Sequence, residues 1–275
     1  MKKRSSISML FLTMMLSCAT ANPITAAASN NQQSDATLDQ QEADVNGDGQ
    51  TDLVILTGEK ENPQDLWNSR LHIVVKDGKT GKSTELKADG NQDLSGYDPG
   101  LFLGDFTGDQ AAEIMVSADT GGSGGVVNHV IVDWKSGQRI IFGEKQNAGM
   151  QIEGFFRDGF TAQLTSQAIG KSFAIHVKEQ MKDYIGQLFD QQGKYTGPVE
   201  EQAQILSDPF GLLTPIDVDG DGVFELEGTQ NVWGPAHVNG LTDVTSVWAY
   251  KQGSWIPVRA HYTVEMPLIE QTNGK

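Results

Sequence analysis

The 275-residue chain has one cysteine, Cys18, so it can form no internal disulfide. No apolar run approaches the roughly 20 residues that a membrane-spanning helix needs. Basic residues are scarce: 20 Lys plus Arg stand against 36 Asp plus Glu, a formal net charge of −16. That imbalance repels nucleic acid and anionic lipid, and neither is an expected partner. The five histidines, at 72, 129, 176, 237 and 261, show no H-x-H or H-E-x-x-H spacing, so a zinc centre has no ligand pattern to rest on.

The N-terminus has the layout of a secretory signal peptide. Lys2, Lys3 and Arg4 precede an apolar stretch from Ile7 to Leu16, followed by Pro23 and the small residues of "TAAAS". The expected cut follows Ala28, with Ala21 as the second choice. Removing residues 1–28 would take away three bases, no acid and the cysteine, leaving a net charge of −19. A rival reading treats "MLSC" as a lipidation site at Cys18, although Met and Leu before Ser17 fit that pattern poorly. Either way the expected location is secreted or at the cell surface. Residues 29–42 are polar, lack apolar periodicity and read as a disordered lead-in.

What is present is a repeat. "DVNGDGQTD" at 44–52 returns as "DFTGDQAAE" at 105–113 and as "DVDGDGVFE" at 217–225. Positions 1, 3, 5 and 9 carry oxygen in each, position 4 is Gly, and an apolar residue follows at position 10. The starts are spaced as one repeat followed by two, so a fourth unit is implied near residue 161. There "FFRDGFTAQLT" keeps an Asp-Gly turn and a following strand but lacks the oxygen string.

Each loop leads into a β-branched strand, a polar Gly-rich connection, and two β-rich runs around "KDGKTG", "KSG" or "KQG", which are hairpin signals. The expected fold is all-β: a four-unit β-propeller-like array of short antiparallel sheets with calcium loops. The domain spans 43–275, with units at about 43–100, 101–150, 151–210 and 211–275.

An EF-hand is excluded, because position 12 of the first loop is Ile55 and a strand follows where a helix is required. Calcium still suits the loops, since it takes six to eight hard oxygens in flexible geometry. The first loop offers Asp44, Asn46, Asp48 and Asp52 with the Gln50 carbonyl. The second offers Asp105, Thr107, Asp109 and Glu113 with the Ala111 carbonyl, and the third Asp217, Asp219, Asp221 and Glu225 with the Val223 carbonyl. Carboxylate count favours the third loop, with four against three in each of the others, and the first is expected ahead of the second. The second lacks Gly at position 6, where Gln110 stands.

These loops, with "LFLGDFTGDQAAEIMVSADTGGSGG" and "PIDVDGDGVFELEG", resemble the FG-GAP and VCBS-type calcium-binding repeat proteins, in particular small exported members from Gram-positive bacteria. The resemblance implies propeller blades carrying a D-x-[DN]-x-D-G-x-x-[DE] calcium loop, and implies little about activity.

Two features could suggest an enzyme. "GGSGG" at 121–125 matches a nucleophile elbow around Ser123, but a strand follows where that motif needs a helix. His237, in "VWGPAHVNG", is the histidine of most interest because of its loop setting. The expected function is therefore a non-enzymatic, calcium-binding surface or extracellular module. Its ligand, such as carbohydrate or a cell-envelope component, would bind at the connections 58–69, 119–128 and 231–243, where Trp67 and Trp233 fall. The alternatives are a structural envelope or spore-layer protein, and an exported hydrolase on a calcium-stabilised propeller. A short helix is expected near "KEQMKDYIGQLF" in the third unit.

Overall fold

A computed structural model describes residues 35–87, 94–198 and 204–264. The signal peptide, both its cleavage positions and Cys18 lie outside the described residues. The described chain is all-β apart from one four-residue helix, Glu144–Asn147, and a single 3-10 turn at Lys182–Tyr184. The helix expected near residue 180 is reduced to that turn. None of the described helices is long and apolar enough to cross a membrane.

Two antiparallel sheets of eight strands form. The first contains β1 (Ala36–Ala43), β2 (Asp52–Glu59), β3 (Trp67–Lys76) and β4 (Ser83–Lys87), which pair in sequence as a meander. A second meander follows: β5 (Gly96–Gly104), β6 (Glu113–Asp119), β7 (Val127–Asp133) and β8 (Arg139–Phe142). They are joined where Trp67 and Asn68 of β3 pair with Tyr97 and Gly96 of β5.

The second sheet contains β9 (Ile152–Arg157), β10 (Thr161–Ser166) and β11 (Lys171–His176) as one run. The other run is β13 (Leu212–Ile216), β14 (Glu225–Trp233), β15 (Gly240–Lys251) and β16 (Ser254–Tyr262). The three-residue β12 (Ile205–Ser207) pairs with both β9 and β14 and so fuses the two runs. The expected four separate short sheets are thus merged into two.

Residues 36–42 of the expected disordered lead-in, together with Ala43, form β1. The strand is stabilised across the sheet as well as along β2: Gln41 Nε2 donates to Leu101 O at 2.7 Å, and Asp39 Oδ2 accepts from Leu101 N at 2.9 Å. With β1 in place, each acidic loop lies inside a hairpin and does not open a unit.

The three expected hairpin turns are present. The tightest carries Gln252 and Gly253 at φ 53° and 81°, the left-handed pair that a two-residue turn needs to match the strand twist. Alternation sets which face is buried: in β2, Val54 and Leu56 point into a core with Leu71, Ile73, Val116 and Val132. A larger core joins both sheets, where Phe106 and Phe142 pack on Trp255. Trp248 is buried there, and Trp134 packs against the first core.

Candidate functional site

The loops at 44–52, 105–113 and 217–225 connect β1 to β2, β5 to β6 and β13 to β14. They share one internal geometry. The position-1 carboxylate accepts backbone N–H groups of positions 4 and 5 on one oxygen and of position 6 on the other. Asp44 does this with Gly47 (2.7 Å), Asp48 (3.1 Å) and Gly49 (2.7 Å). Asp105 does it with Gly108 (2.6 Å), Asp109 (3.3 Å) and Gln110 (2.7 Å), and also accepts from Thr107 N at 3.1 Å. Asp217 repeats it with Gly220 (2.7 Å), Asp221 (3.1 Å) and Gly222 (3.1 Å).

The position-5 carboxylates, Asp48, Asp109 and Asp221, each accept the N–H of position 7, which is Gln50, Ala111 and Val223. The position-9 acids, Asp52, Glu113 and Glu225, each reach back to the N–H of position 2. Every loop therefore curls its side-chain oxygens to one side, which a string of Asp and Gly residues does because Asp caps its own turn and Gly accepts the positive φ. Position 6 is left-handed in all three, at φ 82° for Gly49, 67° for Gln110 and 87° for Gly222. Gln110 thus adopts the glycine conformation despite its Cβ.

The side-chain oxygens converge most clearly in two loops. One oxygen from each of Asp105, Asp109 and Glu113 lies within 4.8 Å of the others, and the same holds for Asp217, Asp219 and Asp221. The first loop is drawn partly to its neighbouring hairpin: Asp52 accepts from Gly78 N at 2.9 Å, and Asn46 Nδ2 donates to Asp77 at 3.2 Å. Thr107, whose hydroxyl donates to Glu113 Oε1 at 3.0 Å, is in place beside the second cluster. Lysines of the hairpin turns approach the position-5 acids, with Lys79 3.6 Å from Asp48 and Lys135 3.2 Å from Asp109.

Burial separates the loops electrostatically. Glu113 is 1% exposed, and that burial pushes its carboxyl up to about 7, against the opposing pull of hydrogen bonds from Phe106 N–H and the Thr107 hydroxyl. Asp217, Asp219 and Asp221 are all exposed.

Sequence spacing did not predict that the loops touch one another. Ala112 N donates to Asp44 O at 2.9 Å, and Phe224 N donates to Asp105 O at 2.7 Å, so the second loop is bonded to both others. An opening of about 530 Å³ lies between them, lined by Asp44, Asp105, Gln110 and Asp221 among others. In the third run the equivalent place is the tight Asp158–Phe160 turn, as its sequence suggests.

The connections also meet. Trp67 stacks edge-on to Tyr97 with ring centroids 5.1 Å apart, and the Gly121–Gly125 loop runs from Tyr97 to His237. Trp233 Nε1 donates to Asp208 Oδ1 at 2.9 Å, and His237 Nε2 lies 2.9 Å from both Asp208 oxygens. Asp208 drew no attention in the sequence, because its partners are 25 and 29 residues away. Ser123 is exposed in a loop that leads into β7, with no helix after it.

Residues 150–263, which take in the whole second sheet, match the family described as the YybI C-terminal domain. Over 206 residues, covering 74% of this chain and 76% of the relative, the sequence is 30% identical to the uncharacterized protein YybI of Bacillus subtilis (strain 168). The chain belongs to the YybI family. That corrects the FG-GAP/VCBS resemblance, whose repeats are not what the chain matches. The resemblance rested on nine-residue Asp/Gly strings, and such strings report local turn chemistry, which unrelated folds can share. The YybI likeness instead extends through strands and core well beyond the loops.

Proposed function

We propose that this YybI-family protein is an exported calcium-binding module, in which ions held by three loops brace the strand runs that present a ligand-binding face. The observation that carries this reading is the shared loop geometry: three carboxylate-rich turns with the same backbone bonding, linked through Asp44 O and Asp105 O. Calcium fits these donors because all are hard oxygens on short, glycine-containing turns. The assigned ligands are Asp44, Asn46, Asp48 and Asp52; Asp105, Thr107, Asp109 and Glu113; and Asp217, Asp219, Asp221 and Glu225, with the carbonyls of Gln50, Ala111 and Val223.

The four strand runs are read as propeller units, with the third having shed its metal loop. Binding is favoured over catalysis because Ser123 has neither a following helix nor a hydrogen bond to His237 among the described residues. The basic and apolar N-terminal stretch supports export. Calorimetric titration of the chelator-treated protein with calcium tests the reading. It expects endothermic or exothermic saturable binding to more than one site; absence of saturable binding at millimolar calcium would refute it.

A further inference from the structure

Three connections form one continuous face. On one side are Leu66, Trp67 and Tyr97, exposed by 74, 37 and 36%. On the other is His237, whose side chain is 41% exposed, pinned by Asp208 with 12% exposure. Trp233 meets His237 edge-on at 4.9 Å while its indole N–H is taken by Asp208. Between the two sides runs Gly121–Gly125.

Two glycines of that loop lie close against the flanking rings. A Cβ on Gly121 would stand 2.3 Å from Tyr97 Cε2, and its φ of 72° is itself unsuited to other residues. A Cβ on Gly124 would lie 3.2 and 3.3 Å from His237 Cε1 and Nε2. The loop thus runs between an aromatic side, Trp67 and Tyr97, and a polar side of imidazole and carboxylate, with the exposed Ser123 between them.

We infer that this surface is a saccharide site, selective for neutral or amine-bearing sugars. The inference rests on the binding-module reading and names the ligand class. A sugar ring has an apolar C–H face and a hydroxyl rim, and the aromatic and polar sides match those two. Trp67 takes the ring face. His237, oriented through Nε2 by Asp208, keeps Nδ1 to bond a hydroxyl or acetamide. Trp233 is a positioning residue, since its polar edge is spent on Asp208. Sulfated or uronic chains are disfavoured by Asp208 and by the net charge of −16.

The test uses the full chain in saturating calcium, titrated with an N-acetylglucosamine tetramer, its de-N-acetylated form, and heparin as a polyanion. Tryptophan fluorescence and calorimetry report binding, and melting is measured on the same samples. The expected result is saturable binding of at least one of the first two and none of heparin. Trp67→Ala should weaken it at least tenfold and His237→Ala at least fivefold, with melting unchanged, while Trp67→Phe retains most affinity. Failure of both tetramers to bind the folded protein, preference for heparin, or binding indifferent to Trp67→Ala and His237→Ala would overturn the inference. Calcium-dependent melting without tetramer binding would reject this site alone; tetramer binding without any calcium effect on melting would reject the calcium reading alone.

Discussion

Asp105 is the residue whose loss should separate the second loop from the third. Its carboxylate accepts four backbone N–H groups, from Thr107, Gly108, Asp109 and Gln110, whereas Asp217 accepts three in a fully exposed turn. The Asp105 carbonyl also holds Phe224, whose ring packs edge-on to Phe102 at 5.1 Å. Hydrogen bonds to a charged acceptor contribute about 1.5–3 kcal/mol each when buried, less where water replaces them. Two of the four donors, Gly108 and Gln110, are on exposed residues that water can reach. Counting the other two and part of the remainder, Asp105→Ala should cost about 3 kcal/mol in chelator, or roughly 6–12 °C in melting temperature for a chain of this size. Asp217→Ala should cost about 1 kcal/mol there, because all three of its donors become solvated. Thermal unfolding followed by circular dichroism with excess chelator reads this directly. Equal losses, or a fall of under 2 °C for Asp105→Ala, would refute the reasoning. In calcium the third loop's four carboxylates should narrow the gap, since each variant then also forfeits an ion.

Other consequences can be checked on the same material. Gln110→Gly removes a Cβ from a left-handed residue at φ 67° and should raise stability by about 0.5–1 kcal/mol, seen as a higher urea midpoint; a lower midpoint would mean the side chain is needed. Burial lowers the His129 imidazole from 6.5 to about 4, so the unfolded chain takes up a proton before the folded one as pH falls. Taken alone this removes about 3 kcal/mol of stability between pH 6.5 and 4, against the opposite slope from Glu113, whose carboxyl is raised to about 7; relative to the parent, His129→Gln should therefore gain about 3 kcal/mol over that range, and an unchanged difference between the two would exclude His129 as a source. Trp233→Ala should lower the melting temperature, because Asp208 loses the indole donor and β14 loses packing, whereas Trp67→Ala should leave it within a degree or two. Matching melts for the two variants would show that Trp233 does not position Asp208.

The features that could be read from the sequence are those whose cause is local. The hairpins follow from Gly137 and from the Gln252-Gly253 pair, and the loop geometry from Asp residues that cap their own turns. β1 was hidden because "ATLDQQEA" is polar and only partly buried, and its order comes from β2 and from Leu101, about sixty residues on. The fusion of runs through β12 was hidden for the same reason: three residues carry no period, and their partners lie in β9 and β14. The role of Trp233 depends on Asp208, and the contact of loop with loop depends on how whole meanders pack. Family membership was misread because nine-residue strings outweighed the pattern of the strands between them.

The central claim is that calcium held by the three loops stabilises the fold. Ligand binding to the native state alone adds about 2.7 kcal/mol per site at one hundred times Kd. The measurement is the melting temperature of the full chain in millimolar calcium against excess chelator, with magnesium as a control for ionic strength. The account predicts a rise of at least several degrees with calcium, reversed by chelator and reduced in Asp105→Ala and Asp217→Ala. A melting temperature that is the same in calcium and in chelator would contradict it.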